Sequence, residues 1–493
     1  MARYLLSLDQ GTTSSRSVLI DQRGEVVAVS KQELTQHYPE PGLVEHDAVE
    51  IWNTQHKTML EVLKEANARP SDVAGIGITN QRETVVVWER NTGKPICNAI
   101  VWQDRRTSRV CQQLKDAKMD SVITSLTGLT IDPYFTATKV RWILDNMENA
   151  RHLAEQGKLC MGTIDSWLIW NLTEGKKHVT DASNASRTLL YNIHTGTWDD
   201  DLLEMFDIPA SMLPEIVDSS GVVGHWDDVP IAGIAGDQQA ALFGQGCFEA
   251  GQMKNTYGTG CFMLMNTGDR IVSSQCGLLS TVAWQINGKR TYALEGSVFM
   301  GGAIFQWLRD GLGIVKDVYE FDALAKSVSD NGGVVFVPAF TGLGGPHWDP
   351  FARGSMQGLT RGSTKAHLCR AALEAVSFQC AELLESIKKD TQADITEMNV
   401  DGGAAISKLL LRIQADHMQC TMVRPKNLET TAFGAAALAG LGVGFWKSKD
   451  EISSMWQLDL SFPPSPWNDD LAKQRSEWDS AVERCKGWKS IDS

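Results

Sequence analysis

The stretch Gly233-Ile234-Ala235-Gly236-Asp237-Gln238-Gln239-Ala240-Ala241 decides the reading of this chain. An apolar run, Pro230 to Ala235, passes through small residues into a carboxylate and two amides, and a helical pattern follows. That order predicts a strand-to-helix junction with Asp237 at its mouth, where open α/β sheets bind their ligands. A second stretch, Leu8-Asp9-Gln10-Gly11-Thr12-Thr13-Ser14-Ser15, joins a buried-strand pattern to a hydroxyl-rich turn, and Tyr257-Gly258-Thr259-Gly260 echoes it. Gly11 lets backbone N–H groups approach an anion, Thr12, Thr13 and Ser14 add hydroxyl donors, and Arg16 adds charge. Asp9 at the strand end suits hydrated Mg²⁺. Each turn alone also reads as an ordinary hairpin turn. Two of them around one carboxylate point to phosphoryl transfer from a nucleotide.

Working outward, residues 3–8, 16–20 and 25–30 read as three strands, with a hairpin turn at Asp21-Gln22-Arg23-Gly24. Residues 49–68 carry helical periodicity, and 73–78 a further buried strand. After residue 246 the pattern returns. Strands are expected over 253–257 and 261–265, and a hairpin over 277–294 turns at Asn287-Gly288. Residues 298–308 and 407–418 read as helices, and 395–400 as a strand feeding Asp401-Gly402-Gly403. That Gly-Gly junction admits a flat group against the backbone. Read alone, it is equally a helix start capped by Asp401. Each half thus opens on β-turns and closes on β-α units, which predicts an internal duplication with lobes 1–248 and 249–493 around a cleft.

A length of 493 residues exceeds what one hydrophobic core organises. The net charge of −14 repels nucleic acid and anionic membrane, so neither is an expected partner. The ten cysteines include no Cys-x-x-Cys, which excludes a zinc framework of that kind and fits reduced thiols in a cytoplasmic protein. No P-loop, Gly-x-Gly-x-x-Gly, His-Glu-x-x-His or Gly-x-Ser-x-Gly pattern occurs. Arg82-Glu83 follows a buried strand, where the pair can donate to and accept from a polyhydroxy substrate; the plain alternative is a surface ion pair. Trp102 follows another apolar run and reads as a core residue or a pocket wall.

Long blocks of the chain resemble the FGGY carbohydrate kinases. They include Leu8–Arg16, Gly77–Thr84, Ile131–Phe135, Lys139–Trp142, Gly233–Gly244, Lys254–Phe262 and Pro338–Gly354. The resemblance implies two actin- or hexokinase-like (ribonuclease H-like) α/β lobes, each a mixed sheet flanked by helices, with the site between them. It implies ATP-dependent phosphorylation of glycerol to sn-glycerol 3-phosphate, with Mg²⁺ and Asp237 as general base. By the same resemblance Arg82, Glu83, Tyr134, Asp237 and Gln238 bind glycerol, and Trp102 and Phe262 wall its carbons. Thr12, Thr13, Ser14, Arg16, Thr259, Gly302, Gln306, Gly403 and Ser407 bind the nucleotide, and Asp9 and Asp237 bind the metal. Position 407 departs from a common pattern that has Asn there. The resemblance also implies a homo-oligomer, a dimer or tetramer. Some family members bind fructose 1,6-bisphosphate through a Gly/Arg-rich loop; the matching stretch here, Gly221 to Pro230, is short and acidic, so no such inhibition is expected. The alternatives are a family kinase for another small polyol or ketose, and an actin- or Hsp70-like ATPase.

Overall fold

A thirteen-stranded mixed sheet runs through both lobes. The computed structural model describes residues 2–489. The strands of the first half are β1 (Tyr4–Gln10), β2 (Ser14–Asp21), β3 (Val26–Glu33), β4 (Val73–Asn80), β5 (Ser220–Trp226) and β6 (Val229–Gly236). Those of the second are β7 (Met253–Tyr257), β8 (Cys261–Gly268), β9 (Leu279–Ile286), β10 (Lys289–Val298), β11 (Glu397–Asp401), β12 (Thr421–Pro425) and β13 (Leu458–Phe462).

The two halves repeat one path. In the first, β3, β2 and β1 are antiparallel neighbours, and β4 then β6 add in parallel. In the second, β10, β8 and β7 are antiparallel neighbours, and β11 then β12 add in parallel. The duplication expected from pattern is therefore present in topology. The sheet crosses between halves through a single parallel pair, Ser220 with Ile286 on β5 and β9.

Strand alternation sorts side chains to the two faces. Leu6, Leu8 and Leu19 join one core cluster, while Leu5, Val18 and Ile20 join another. Three helices matter for the site: α1 (Ala48–Glu65), α2 (Asp237–Gly244) and α3 (Thr430–Gly442). Asp47 caps α1 by accepting from the N–H groups of Val49 and Glu50. Helices α2 and α3 tie the halves together. Helix α2 follows β6 and reaches from β4 and β6 across to β7, β8 and β9, and α3 follows β12 but packs on β1, β4, β5 and β6. They meet so closely that a Cβ at Gly434 would stand 1.8 Å from the Ala240 carbonyl oxygen. Only glycine permits that approach.

Two local expectations need correction. Residues 298–308 are not one helix. Strand β10 runs to Val298, and only Ala303–Gln306 is α-helical, passing into a wider turn at Trp307–Gly311. The reason is docking: Gly301 N donates to Thr259 O and Gly302 N to Gly258 O, each at 2.8 Å, which bends the segment onto the second turn. Nor does Asp401 cap a helix. The cap of Lys408–Met418 is Ser407, whose Oγ accepts from Leu410 N at 3.2 Å. Asp401 is buried and accepts from Gln245 Nε2 at 2.6 Å.

Candidate active site

Asp237 is the first residue of α2, at the C-terminal end of β6. Beside it the parallel strand β4 ends at Asn80 and delivers Arg82 and Glu83. The backbone there is tight: Glu83 has φ +60° and Thr84 N donates to Arg82 O at 2.7 Å. A left-handed non-glycine residue is held at a cost of about 1–3 kcal/mol, and such residues cluster at functional sites. Gly236 makes room for the pair, since a Cβ there would lie 2.6 Å from Arg82 Cδ.

Arg82 and Glu83 are not a surface ion pair. Both are buried, at 2% and 1% exposure, within a charge network that sequence reading did not find. Glu295 on β10 accepts from Arg82 at 2.5 and 2.9 Å and from Arg187 at 3.0 Å, and Arg187 also donates to Glu83 at 2.7 Å. Burial alone would raise Glu295, but Arg187 and Arg82 outweigh it and hold its carboxyl at about 2. Burial pulls Arg82 down, and Glu295, Tyr134 and Glu83 more than reverse that.

Asp237 Oδ1 lies 3.3 Å from Arg82 Nε and accepts from Gln238 N at 2.8 Å. Its side chain keeps 28% of its surface open and lines a cavity. Burial of the remainder raises the carboxyl to about 6; Arg82 opposes the rise and Glu83 adds to it. A carboxylate near that value is suited to accept a proton near neutral pH.

The cavity measures about 130 Å³ and brings together Arg82, Glu83, Trp102, Tyr134, Asp237, Gln238 and Phe262, with Thr12 and Thr259 at its edge. Trp102 is both readings at once, 5% exposed and a wall, and its Nε1 donates to Thr12 Oγ1 at 2.8 Å. Its ring meets those of Tyr134 and Phe262 edge-on, at 5.7 and 6.1 Å between centroids. Lys254 was also missed. It is fully buried, and its Nζ donates to Gln238 Oε1 at 2.6 Å, Thr256 Oγ1 at 2.8 Å and Phe262 O at 3.2 Å. Burial lowers its ammonium to about 8. That bond holds Gln238 Oε1 toward Lys254 and leaves its N–H donors free for a ligand.

A second cavity of about 320 Å³ adjoins the first, and Gly258 and Thr259 line both. It gathers Gly302, Gln306 and Gly403 with the apolar side chains of Phe305, Val318 and Phe321. Ser407 is outside that lining, and its hydroxyl donates to Asp322 Oδ1 at 2.7 Å. In the first turn Gly11 N donates to Ser14 O at 2.9 Å. Arg16 pairs with Asp9 on one side and Glu429, the residue before α3, on the other. Thr13 and Ser14 line neither cavity.

No cluster of three or more His, Cys, Asp or Glu side chains suited to a metal occurs among the described residues. Asp9 and Asp237 are each hard oxygen donors of the kind Mg²⁺ takes alongside water and phosphate oxygens, and Asp9 also pairs with Arg16. No helix among the described residues is long and apolar enough to cross a membrane.

Known proteins similar to this chain give its family. Residues 4–244 match the N-terminal domain, and 253–443 the C-terminal domain, of the FGGY family of carbohydrate kinases. The chain is 56% identical to a glycerol kinase of Deinococcus radiodurans over 99% of its own length and 98% of the relative's. It is 53% identical to glycerol kinase 2 of Thermotoga maritima, covering 99% of both chains. Among solved structures it superposes on Plasmodium falciparum glycerol kinase with ADP at a TM-score of 0.87 and 36% identity, covering 98% of both. A xylulose kinase from Lactobacillus acidophilus, at TM-score 0.85 and 23% identity over 98% of this chain and 97% of that one, shares the fold.

Proposed function

Because this chain belongs to the FGGY family of carbohydrate kinases, we propose that it transfers the terminal phosphoryl group of ATP to glycerol, giving sn-glycerol 3-phosphate. One observation carries the substrate choice: the acceptor cavity is small, about 130 Å³, and combines aromatic walls with the charged groups of Arg82, Glu83 and Asp237. A triol needs that combination, with donors and acceptors for its hydroxyls and apolar contact for its carbons. A ketose or sugar acid carries more carbons and more hydroxyls than a triol and would need more room and more hydrogen-bonding groups.

In this reading Arg82, Glu83, Tyr134 and Gln238 orient the triol between Trp102 and Phe262. Asp237 takes the proton of the attacking terminal hydroxyl through Oδ2 while Arg82 steadies Oδ1. General-base assistance of this kind supplies roughly 10²–10⁴ in rate. The nucleotide occupies the larger cavity against Gly302, Gln306 and Gly403, and its phosphates cross the turn at Gly258 and Thr259, which borders both cavities. Thr12, Thr13, Ser14 and Arg16 grip the phosphates from the other side. Asp9 and Asp237 would hold Mg²⁺, which neutralises charge on the phosphoryl oxygens when bound. The enzyme acts in the cytoplasm as a homo-oligomer, and fructose 1,6-bisphosphate leaves its rate unchanged.

A coupled ADP-release assay with glycerol, dihydroxyacetone, xylulose and no acceptor tests the reading. Glycerol is expected to give the highest kcat/KM. A preference for xylulose, or an equal rate without acceptor, would overturn it.

A further inference from the structure

Lys254 stands behind the smaller cavity, outside its lining, and none of the steps above uses it. It lies on β7, whose residues are all buried, and strand alternation puts Lys254 and Thr256 on one face of that strand. There Nζ meets Gln238 of α2, which the first half supplies, and the Phe262 carbonyl of β8, which the second half supplies. Its three partners, Gln238 Oε1, Thr256 Oγ1 and Phe262 O, are all neutral. A methionine of similar length would fill the same space without the cost of burying an ammonium. What the lysine supplies instead is donors in fixed places.

Those donors set a polarity. An ammonium only donates, so the Gln238 atom 2.6 Å from Nζ has to be the amide oxygen. Turning the amide over would bring two donors head to head with no acceptor between them. The Nε2 donors of Gln238 are therefore held on the side away from Lys254, and Gln238 lines the smaller cavity. No other side chain of that cavity offers free N–H groups. Arg82 directs its own to Glu295, Gln239, Tyr134 and Asp237, and Trp102 donates to Thr12. Glu83 and Asp237 supply acceptors. The one free N–H donor group of the cavity thus owes its direction to a residue the ligand never touches.

We propose that Lys254 is a positioning residue for the acceptor substrate. It fixes the Gln238 amide with N–H toward the cavity, so that a hydroxyl or carbonyl oxygen of the substrate is received there as a hydrogen-bond acceptor. The inference rests on the reading of this cavity as the acceptor site.

The test uses the acceptor with the highest kcat/KM in the substrate panel, glycerol on the reading above, and measures its Kd by calorimetry. Lys254→Met should weaken it about tenfold, while the KM for ATP moves less than about twofold. Made on top of Gln238→Ala, the same change should weaken the acceptor less than about twofold further, because the group it positions is gone. Gln238→Glu covers the case of a Lys254→Met protein that does not fold. It keeps the shape and the bond to Lys254, presents an oxygen in place of the N–H donors, and should weaken the acceptor about tenfold. Unchanged acceptor binding in folded Lys254→Met or in Gln238→Glu would overturn the proposal. So would equal losses for acceptor and ATP, or a further loss of about tenfold on Gln238→Ala. If xylulose displaces glycerol in the panel, the choice of glycerol falls and the same variants judge this inference with xylulose. No acceptor-dependent turnover at all overturns both.

Discussion

The two cavities that meet at Gly258 and Thr259 are built on opposite principles. The smaller is lined by Arg82 and Glu83, buried charges already paired with Glu295 and Arg187 behind them, so its polar geometry is set before any ligand arrives. The larger is mainly apolar side chains and glycine backbone, and its polar groups Gln306, Arg309 and Asp317 are exposed. Rigid charge discriminates hydroxyl positions, because a misplaced ligand leaves a buried ion without its partner. An apolar slot beside backbone donors accepts a flat ring and positions phosphates without such strictness. Specificity for the acceptor should therefore be brittle to substitution, and binding of the donor tolerant.

Breaking the small cavity at its base should have the largest effect. Asp237→Asn is expected to lower kcat by roughly 10²–10⁴ while glycerol binding, read by calorimetry, persists. Near-native turnover would refute the assignment. Next, Glu295→Gln leaves two buried guanidinium groups undercompensated and should destabilise the protein by about 3–5 kcal/mol, read from urea unfolding. The sign with pH follows from the depressed carboxyl. Its contribution is full above the unfolded value of about 4.3 and disappears as pH falls toward about 2.

Between the two cavities in effect is the helix crossing. Gly434→Ala forces a methyl group against the Ala240 carbonyl and should cost about 1–3 kcal/mol of stability. The raised Asp237 carboxyl sharpens the contrast by pH. Because the base must be ionised, kcat/KM for glycerol should fall about tenfold per unit below about pH 6. The smallest effect is expected in the larger cavity. Ser407→Asn preserves a good helix cap and should change stability by under about 1 kcal/mol and the KM for ATP less than tenfold. A larger change in that KM would show that position 407 reaches the nucleotide.

Much of this was legible in the sequence because its signals are local. The β6–α2 junction, the first hairpins and Asp237 follow from strand periodicity and small-residue turns within a few residues of each other. The charge network was not legible, because its members are far apart in the chain and meet only in the fold: Arg82, Arg187 and Glu295 come from the turn after β4, a loop and β10. The one available signal was a lone ion following apolar residues, as in Tyr292-Ala293-Leu294-Glu295, where burial without a partner would be prohibitive. The misread helix at 298–308 failed for a similar reason. Its apolar residues have helical spacing, but Gly301 and Gly302 are held by Gly258 and Thr259, some forty residues earlier. Asp401 looked like a cap because its true partner, Gln245, is equally remote.

The sheet passes from one half to the other through Ser220 and Ile286 alone, with Ser219 N donating to Gln285 O at 2.7 Å beside them. A seam one pair wide works like the spine of a book, resisting shear along the strands and yielding to a change in the angle between the covers. Amide exchange at Ser219 and Ser220 should therefore report that angle, quickening when the covers part and slowing when both ligands hold them shut.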